Sequence, residues 1–132
     1  MTHPTEPDLG PLTWIKTEID LALARADESL EQALGTPDGR ARVQFAQTHL
    51  HQTRGALSIV GLDGLTQFTS AVDRLLGMLA RGERPIDAAT IALARRALAT
   101  IGNYLEELVH GTPDQPLRLF SLYEEISAAC GA

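Results

Sequence analysis

The sequence has little of what a cross-linked or membrane-spanning protein needs. One cysteine, Cys130, occurs among 132 residues, which excludes an internal disulfide framework and a zinc site built from cysteines. No apolar run approaches the roughly 18 residues that a transmembrane helix requires. The first ten residues lack the basic and then apolar order of a signal peptide. Together these absences predict a cytoplasmic protein that does not insert into a membrane.

Basic charge and nucleotide-binding motifs are also scarce. The chain carries 17 acidic and 11 basic side chains, for a formal net charge of −6, so we expect no general affinity for nucleic acid. The glycine-rich loops GxxxxGK(S/T) and GxGxxG are absent, as is the nucleophile elbow GxSxG. His49 and His51 point about 200° apart on a helix and cannot share a metal ion. We therefore expect no cofactor, no metal site and no enzyme that acts alone.

What the chain does contain is typical of helices. Alanine and leucine are abundant, aromatic residues make up only 5%, and no run of β-branched residues indicates a strand. Apolar residues recur every three or four positions in four long segments, which turns containing glycine or proline separate. The sequence predicts an all-α protein, an antiparallel four-helix bundle with an additional short C-terminal helix. Residues 1–10 are predicted to be a flexible leader, and residues 11–130 a single domain.

Helix ends and core positions follow from the same pattern. The second helix should run from about Pro37 to Val60, and Gly61 suits its C-terminus. Cys130 is expected to lie in a frayed terminus. The candidate N-caps of the second, third and fourth helices are Thr36, Asp63 and Asp87. The apolar stripe of the second helix consists of Val43, Ala46, Leu50, Thr53, Leu57 and Val60.

One segment of the second helix, residues 51–61, is notable for what it presents to solvent. At about 100° per residue, His51 lies about 130° and Gly55 about 170° from the centre of the apolar stripe. Arg54 follows His51 by one turn, so the two side chains share a side of the helix. A helical glycine costs roughly 1 kcal/mol relative to alanine, and nothing inside the protein requires one at a solvent-facing position. Close approach by a partner would explain Gly55.

The charge around this segment points to phosphoryl chemistry. Between residues 39 and 62 the sequence has arginines but no acidic residue, although the protein as a whole is acidic. A neutral imidazole is a nucleophile near neutral pH, and a guanidinium one turn away can neutralise phosphoryl oxygens. The segment therefore suits phosphorylation of His51 on one ring nitrogen. Arg54 would stabilise the phosphoryl charge, and Gly55 would leave room for a partner.

The segment resembles the signature of histidine phosphotransfer (Hpt) domains, His-x-x-Lys/Arg-Gly-Ala/Ser/Gly with an apolar residue and a glycine at the ninth and tenth positions after the histidine. The matching residues are His51, Arg54, Gly55, Ala56, Val60 and Gly61. The resemblance implies a helical bundle that accepts a phosphoryl group on His51 from a histidine kinase domain. The group then passes to an aspartate of a response-regulator receiver domain, and these partners supply ATP, Mg²⁺ and the acidic residues. Asp73 stands where CheA-type domains usually carry a glutamate that orients the imidazole.

Most of the chain resembles the N-terminal domain of ChpA/PilL-type hybrid chemosensory histidine kinases, which govern type IV pili and twitching motility. The resembling stretches include Trp14–Asp20, Asn103–Glu106 and Asp114–Leu117. The scaffold protein FimL is similar to the same domain and lacks a phosphorylatable histidine. Two functions therefore remain open: phosphotransfer through His51, and docking of partners in the same pathway without phosphotransfer. An enzyme acting alone is a weaker third, because no second catalytic group accompanies His51.

Overall fold

The structure, a computed structural model, describes residues 9–131. All regular secondary structure in this range is helical, which confirms the all-α prediction. The helices are α1 (Leu9–Gln32), α2 (Gly39–Ile59), α3 (Asp63–Ala80), α4 (Ala88–Val109) and α5 (Phe120–Ala129), with a turn of 3-10 helix at Pro116–Leu119.

The four long helices form a bundle, as the sequence predicts. α1 packs against α2 and α4, and α2 packs against α3. The connections at residues 33–38 and 60–62 are so short that α1, α2 and α3 must run antiparallel to their neighbours in sequence. The 3-10 turn and α5 pack on α3, and α5 also contacts α4. The additional C-terminal helix thus closes one side of the bundle.

The apolar stripe predicted for the second helix is the face that α2 buries. Its buried members are Val43, Ala46, Leu50, Thr53, Leu57 and Val60. Thr53, the one polar member, donates its hydroxyl to the backbone oxygen of His49 at 3.2 Å, so its burial leaves no unpaired hydroxyl. Because this stripe faces the core, the residues of α2 opposite to it face solvent.

The C-terminus of α2 confirms the role predicted for Gly61. Its φ is +82°, its N–H donates to the Ser58 oxygen at 3.1 Å, and the Leu62 N–H donates to the Leu57 oxygen at 3.2 Å. These two bonds form a Schellman cap, which requires the left-handed conformation that glycine adopts without strain. The cap ends α2 and leads the chain directly into α3.

The N-cap predicted for α2 is wrong. The helix begins at Gly39 rather than at Pro37, and Asp38 holds the cap position without a capping hydrogen bond from its side chain. Thr36 instead donates its hydroxyl to the Asp38 carboxylate at 2.5 Å. The Gly39 N–H donates to the Thr36 oxygen at 3.2 Å, so the chain makes a turn before the helix starts.

The two aspartates proposed as caps differ in outcome. Asp63 is the first residue of α3, and Leu62 holds the cap position, because the Schellman cap of α2 has already drawn Leu62 into the turn. Asp87 caps α4 as predicted, since its carboxylate accepts the Thr90 N–H at 2.8 Å. That hydrogen bond lowers the pKa of Asp87.

Both ends of the described chain also depart from expectation. Residues 1–8 of the predicted leader lie outside the described residues, and α1 begins at Leu9, within the predicted leader. Cys130 is not frayed, because the packing of α5 against α3 and α4 buries Ile126 and Cys130 together in the core. The same burial raises the pKa of the Cys130 thiol.

Tyr104 joins the loop after α4 to the bundle. Its side chain is buried, and its hydroxyl donates to the Asp114 carboxylate. The guanidinium of Arg118 lies 5.7 Å from the centre of the Tyr104 ring. Burial, and then the hydrogen bond to Asp114, raise the pKa of the Tyr104 hydroxyl above its ordinary value of 10.0. The contact therefore restrains the loop that leads into α5.

Replacing Tyr104 by phenylalanine should lower the free energy of unfolding by about 1–2 kcal/mol, because it removes a hydrogen bond to a charged group. Urea denaturation at pH 7 measures this difference. The native protein keeps a proton on Tyr104 that the unfolded chain releases above pH 10, so the advantage of the wild type should shrink as the pH rises past 10. A difference between the two proteins that stays constant from pH 8 to pH 11 would contradict the assigned pKa shift.

Candidate functional site

The solvent-facing side of α2 brings together three of the residues singled out from the sequence. His51 and Gly55 are exposed, and Arg54 between them is half-buried. Their neighbours Leu50 and Leu57 are fully buried, and this fixes the rotation of the helix about its axis. The three residues therefore occupy one surface strip, in which Arg54 is more buried than His51 and Gly55.

The His51 and Arg54 side chains have no recorded hydrogen bond or ion pair within residues 9–131. Other basic groups are engaged elsewhere: Arg42 pairs with Asp38 at 3.7 Å, and Arg95 pairs with Asp27 at 2.8 Å. Arg54 therefore keeps its five donor hydrogens available for a ligand next to His51.

Gly55 stands beside an open surface. A Cβ added at this position would have nothing within 4 Å. Gly39, at the start of the same helix, contrasts with it, because a Cβ there would lie 2.7 Å from the backbone oxygen of Ala33. Packing against the turn between α1 and α2 therefore explains Gly39 and does not explain Gly55, which lies one helical turn from His51.

His49 differs from His51 in its surroundings. Its ring packs edge-on against Phe45, with the ring centroids 4.6 Å apart and the planes at 70°, and the side chain is half-buried. Its position on the helix turns it toward α1, away from Arg54. Of the two histidines of α2, His51 alone combines free exposure with a guanidinium one turn away.

The electrostatic character of α2 differs from that of the rest of the protein. The helix carries Arg40, Arg42 and Arg54 but no acidic residue, whereas the chain has a formal charge of −6. Arg40 lies over the C-terminal turn of α3, where its guanidinium occupies the space that a side chain at Gly82 would need. α2 itself therefore contributes only basic charge to an acidic protein, and of its three arginines Arg54 is the one beside His51.

Asp73 of α3 lies level with His51, but the structure does not join them. The Nε2 of Gln47 lies 3.1 Å from the position of a Cβ at Gly77, which gives the register of the two antiparallel helices. His51 lies one turn after Gln47, and Asp73 lies one turn before Gly77. Because the two helices are antiparallel, His51 and Asp73 lie at the same height along the bundle. No hydrogen bond between them is recorded in the described chain, and the buried Oδ1 of Asp73 has no partner there.

Comparison with known families decides what kind of domain carries this site. The sequence profile of the Hpt domain matches residues 17–111, which include His51 and most of the four long helices. The chain belongs to the Hpt domain family. Hpt domains are phosphotransfer modules rather than enzymes in the usual sense, and they exchange phosphoryl groups with kinase and response-regulator domains in phosphorelays. No curated protein and no solved structure matches the chain.

The family match does not extend to the C-terminal elements of the chain. The match ends at residue 111, so the 3-10 turn and α5 lie beyond the Hpt core.

In the described part of the chain, no group of three or more His, Cys, Asp or Glu side chains is arranged to hold a metal ion. Among the helices of that same part, none has the length and apolar character needed to cross a membrane.

Sequence reasoning missed two exposed apolar residues, one on α2 and one on α1. Ile59 of α2 and Trp14 of α1 are each 87% exposed. For Ile59 a signal was available, because it falls two turns after His51 and opposite to the apolar stripe, where a branched aliphatic residue has no core to join. Trp14 gave no comparable signal, because it precedes the apolar residue Ile15 and its exposure follows only from the packing of α1.

Alanine at Gly55 should raise the free energy of unfolding, by up to about 1 kcal/mol, because the new methyl group meets open space and glycine is the poorer helix former. The matched variant Gly39→Ala should lower it, because its Cβ would contact the Ala33 backbone oxygen. Thermal and urea denaturation of both variants measure the two signs. A destabilised Gly55→Ala would mean that this face of α2 is packed rather than open.

Proposed function

We propose that this Hpt domain accepts a phosphoryl group on His51 and passes it on to an aspartate of a response-regulator receiver domain. The observation that carries the proposal is an exposed imidazole one turn from both an unpaired guanidinium and an open glycine. All three lie on a helix without acidic residues. No other histidine in the described chain has these neighbours.

The chemistry requires little from the domain itself. A nitrogen of the neutral His51 ring attacks the γ-phosphorus of ATP held by a kinase domain, and the bond from that phosphorus to the bridging oxygen breaks as ADP leaves. In the second step an aspartate oxygen of the receiver attacks the same phosphorus, and the N–P electron pair returns to the imidazole. The outer nitrogen, Nε2, is the natural acceptor because it stands farthest from the helix. The domain thus acts as a carrier between two partners.

Arg54 and Gly55 have complementary roles in this proposal. The Arg54 guanidinium offers charge-assisted hydrogen bonds to the phosphoryl oxygens, and the half-buried side chain has fewer conformations to give up on binding than a fully exposed one. Gly55 keeps the surface beside His51 low, so that a partner can bring its donor or acceptor atom to the ring.

Asp73 is proposed to orient the imidazole. Its height along α3 matches that of His51, and its buried Oδ1 has an unused capacity to accept a hydrogen bond. An unpaired buried acceptor costs free energy, which favours a partner when one comes within reach. A change of side-chain rotamer at His51 could provide the ring N–H that this oxygen lacks.

The cellular setting follows from the chemistry and from the resemblance described above. ATP-dependent kinase domains and receiver domains act in the cytoplasm, so we place the domain there. The similarity to ChpA/PilL-type hybrid kinases supports a chemosensory pathway that controls type IV pili and twitching motility. The second candidate function, a FimL-like docking domain without phosphotransfer, draws its support from Trp14 and Ile59, whose exposed apolar surfaces suit a protein partner.

Replacing His51 by glutamine should abolish acid-labile phosphorylation by a histidine kinase domain and ATP, because the substitution removes the acceptor nitrogen. The helical circular dichroism and the thermal midpoint should stay nearly unchanged, since the side chain is exposed. His49→Gln is the matched control and should still take the label. Label that persists in His51→Gln and is lost in His49→Gln would reverse the assignment, and unlabelled wild-type protein would favour the docking function.

Replacing Arg54 by alanine should slow phosphorylation of His51 by about tenfold or more, because the transition state loses a charge-assisted hydrogen bond. The initial rate at subsaturating kinase measures the effect. Arg42→Ala is the control, because this arginine lies on the same helix three turns away and pairs with Asp38. Equal rates for Arg54→Ala and Arg42→Ala would show that the Arg54 charge acts only through the general field of the helix.

A further inference from the structure

A second surface lies on the side of the bundle where α3, the 3-10 turn and α5 pack together. Two adjoining hollows, of about 440 Å³ and about 310 Å³, run along it. Gln67 of α3 and Tyr123 of α5 line both hollows, so they mark the centre of the surface. The larger hollow extends from this centre toward the N-terminal ends of α3 and α5, and the smaller hollow toward their C-terminal ends.

The two hollows differ in the side chains that surround them. Leu117 and Phe120 line the larger hollow and are 87% and 55% exposed, so they project from that end of the surface. The smaller hollow is lined largely by small side chains, namely Ser70, Ala71, Ser127 and Cys130. One end of the surface therefore projects apolar groups, and the other end has room to receive them.

Two exposed charges of opposite sign stand on the same surface. Asp63 and Arg74 are eleven residues apart on α3, which is three helical turns to within about 20°, so they share one face of the helix. The distance between them along the axis is about 16 Å at about 1.5 Å per residue, and Gln67 lies near the midpoint. Among residues 9–131, neither side chain has a recorded hydrogen bond or ion pair. The face carries a negative charge at one end and a positive charge at the other.

A second copy of the chain complements this surface when the two α3 helices pack antiparallel. A two-fold axis that lies in the interface and crosses α3 at Gln67 places Asp63 of each copy opposite Arg74 of the other. The same rotation lays Leu117 and Phe120 of each copy over the smaller hollow of its neighbour. A parallel arrangement would bring like charges together, so charge selects the antiparallel one.

The exposed apolar area is close to what a stable dimer requires. Leu117, Phe120 and Tyr123 are 87%, 55% and 39% exposed. Together they expose roughly 350 Å², if a complete side chain of this size has about 200 Å². An interface of standard size covers about 800 Å² on each partner, and a little over half of that area is apolar. The three side chains thus supply most of the apolar part, and Asp63 and Arg74 belong to the polar rim.

We propose that this chain forms a two-fold dimer through the surface between α3 and α5. The proposal is independent of phosphotransfer, because it uses no residue of α2. Its apolar side chains lie beyond residue 111, where the family match ends. A contact between two copies explains why the 3-10 turn and α5, which pack on the bundle, still leave Leu117 and Phe120 exposed.

Sedimentation velocity at about 10 to 500 μM tests the dimer, because this range detects dissociation constants up to about 1 mM. Asp63→Lys and Arg74→Glu should each weaken self-association by about tenfold or more, because each places like charges together at both ends of the two-fold contact. An equimolar mixture of the two variants should dimerise as tightly as wild type, since both ends of the mixed dimer then pair opposite charges. Such rescue between two chains cannot come from a repair of folding within one chain.

The controls lie on α1, which packs against α2 and α4. Glu18→Lys makes the same charge change as Asp63→Lys, and Trp14→Gln removes a side chain as exposed as Leu117. Both controls should dimerise like wild type, whereas Leu117→Gln should weaken the dimer. The helical circular dichroism of every variant should match that of wild type.

Wild-type protein that sediments as a monomer throughout the range would overturn the proposal and leave the surface to a different protein. Wild-type dimerisation by Arg74→Glu would also overturn it. This variant decides by itself if Asp63→Lys loses helical signal, because a cation is unfavourable at the N-terminus of α3. A mixture of folded Asp63→Lys and Arg74→Glu that stays monomeric would exclude the antiparallel pairing.

Discussion

The burial of one apolar stripe on α2 is the constraint on which the rest of the site depends. Leu50 and Leu57 are fully buried, so the helix cannot rotate about its axis without exposing them, at a cost of roughly 1.5–3 kcal/mol for each side chain. The same constraint turns His51 and Gly55 outward. The solvent-facing strip therefore takes its stability from the opposite face of the helix and contributes little of its own.

This division leaves the outer face free to serve function. Gly55 weakens the helix locally, and no contact within the described chain compensates for it. Arg54 carries a charge that no partner within the described chain neutralises. It lies on a helix that has three arginines and no acidic residue. The helical glycine and the unpaired charge each make the isolated domain slightly less stable. Both would help a phosphoryl group or an acidic protein to bind at this surface. Such local inconsistency with folding is typical of a functional surface.

The C-terminal addition completes the core away from the reactive surface. The family match ends at residue 111, while α5 packs against α3 and α4, the helices farthest from the groove between α1 and α2. Tyr104 and Asp114 restrain the loop that leads to it, and Cys130 is buried at its end. A protein bound over the exposed face of α2 would therefore leave this part of the fold undisturbed.

The sequence by itself determined the helices and the orientation of the strip, because both depend on a local repeat of 3.6 residues. Leu50 and Leu57 point inward and His51 outward in any packing that buries the stripe. The Asp87 cap and the turn at Gly61 were also local signals. The starts of α2 and α3 were predicted less well. Thr36 donates its hydroxyl to Asp38 instead of capping α2, and Leu62 holds the cap position of α3 because the end of α2 already fixes it in the turn.

Only the tertiary structure decided what the helices place side by side. The level of Asp73 relative to His51 depends on the register between α2 and α3, and the groove that Ile15 and Ala56 line depends on the register between α1 and α2. Cys130 became a core residue because α5 folds back onto the bundle. These relations join residues far apart in the chain. No short-range pattern encodes them, because the packing of whole helix faces sets their register.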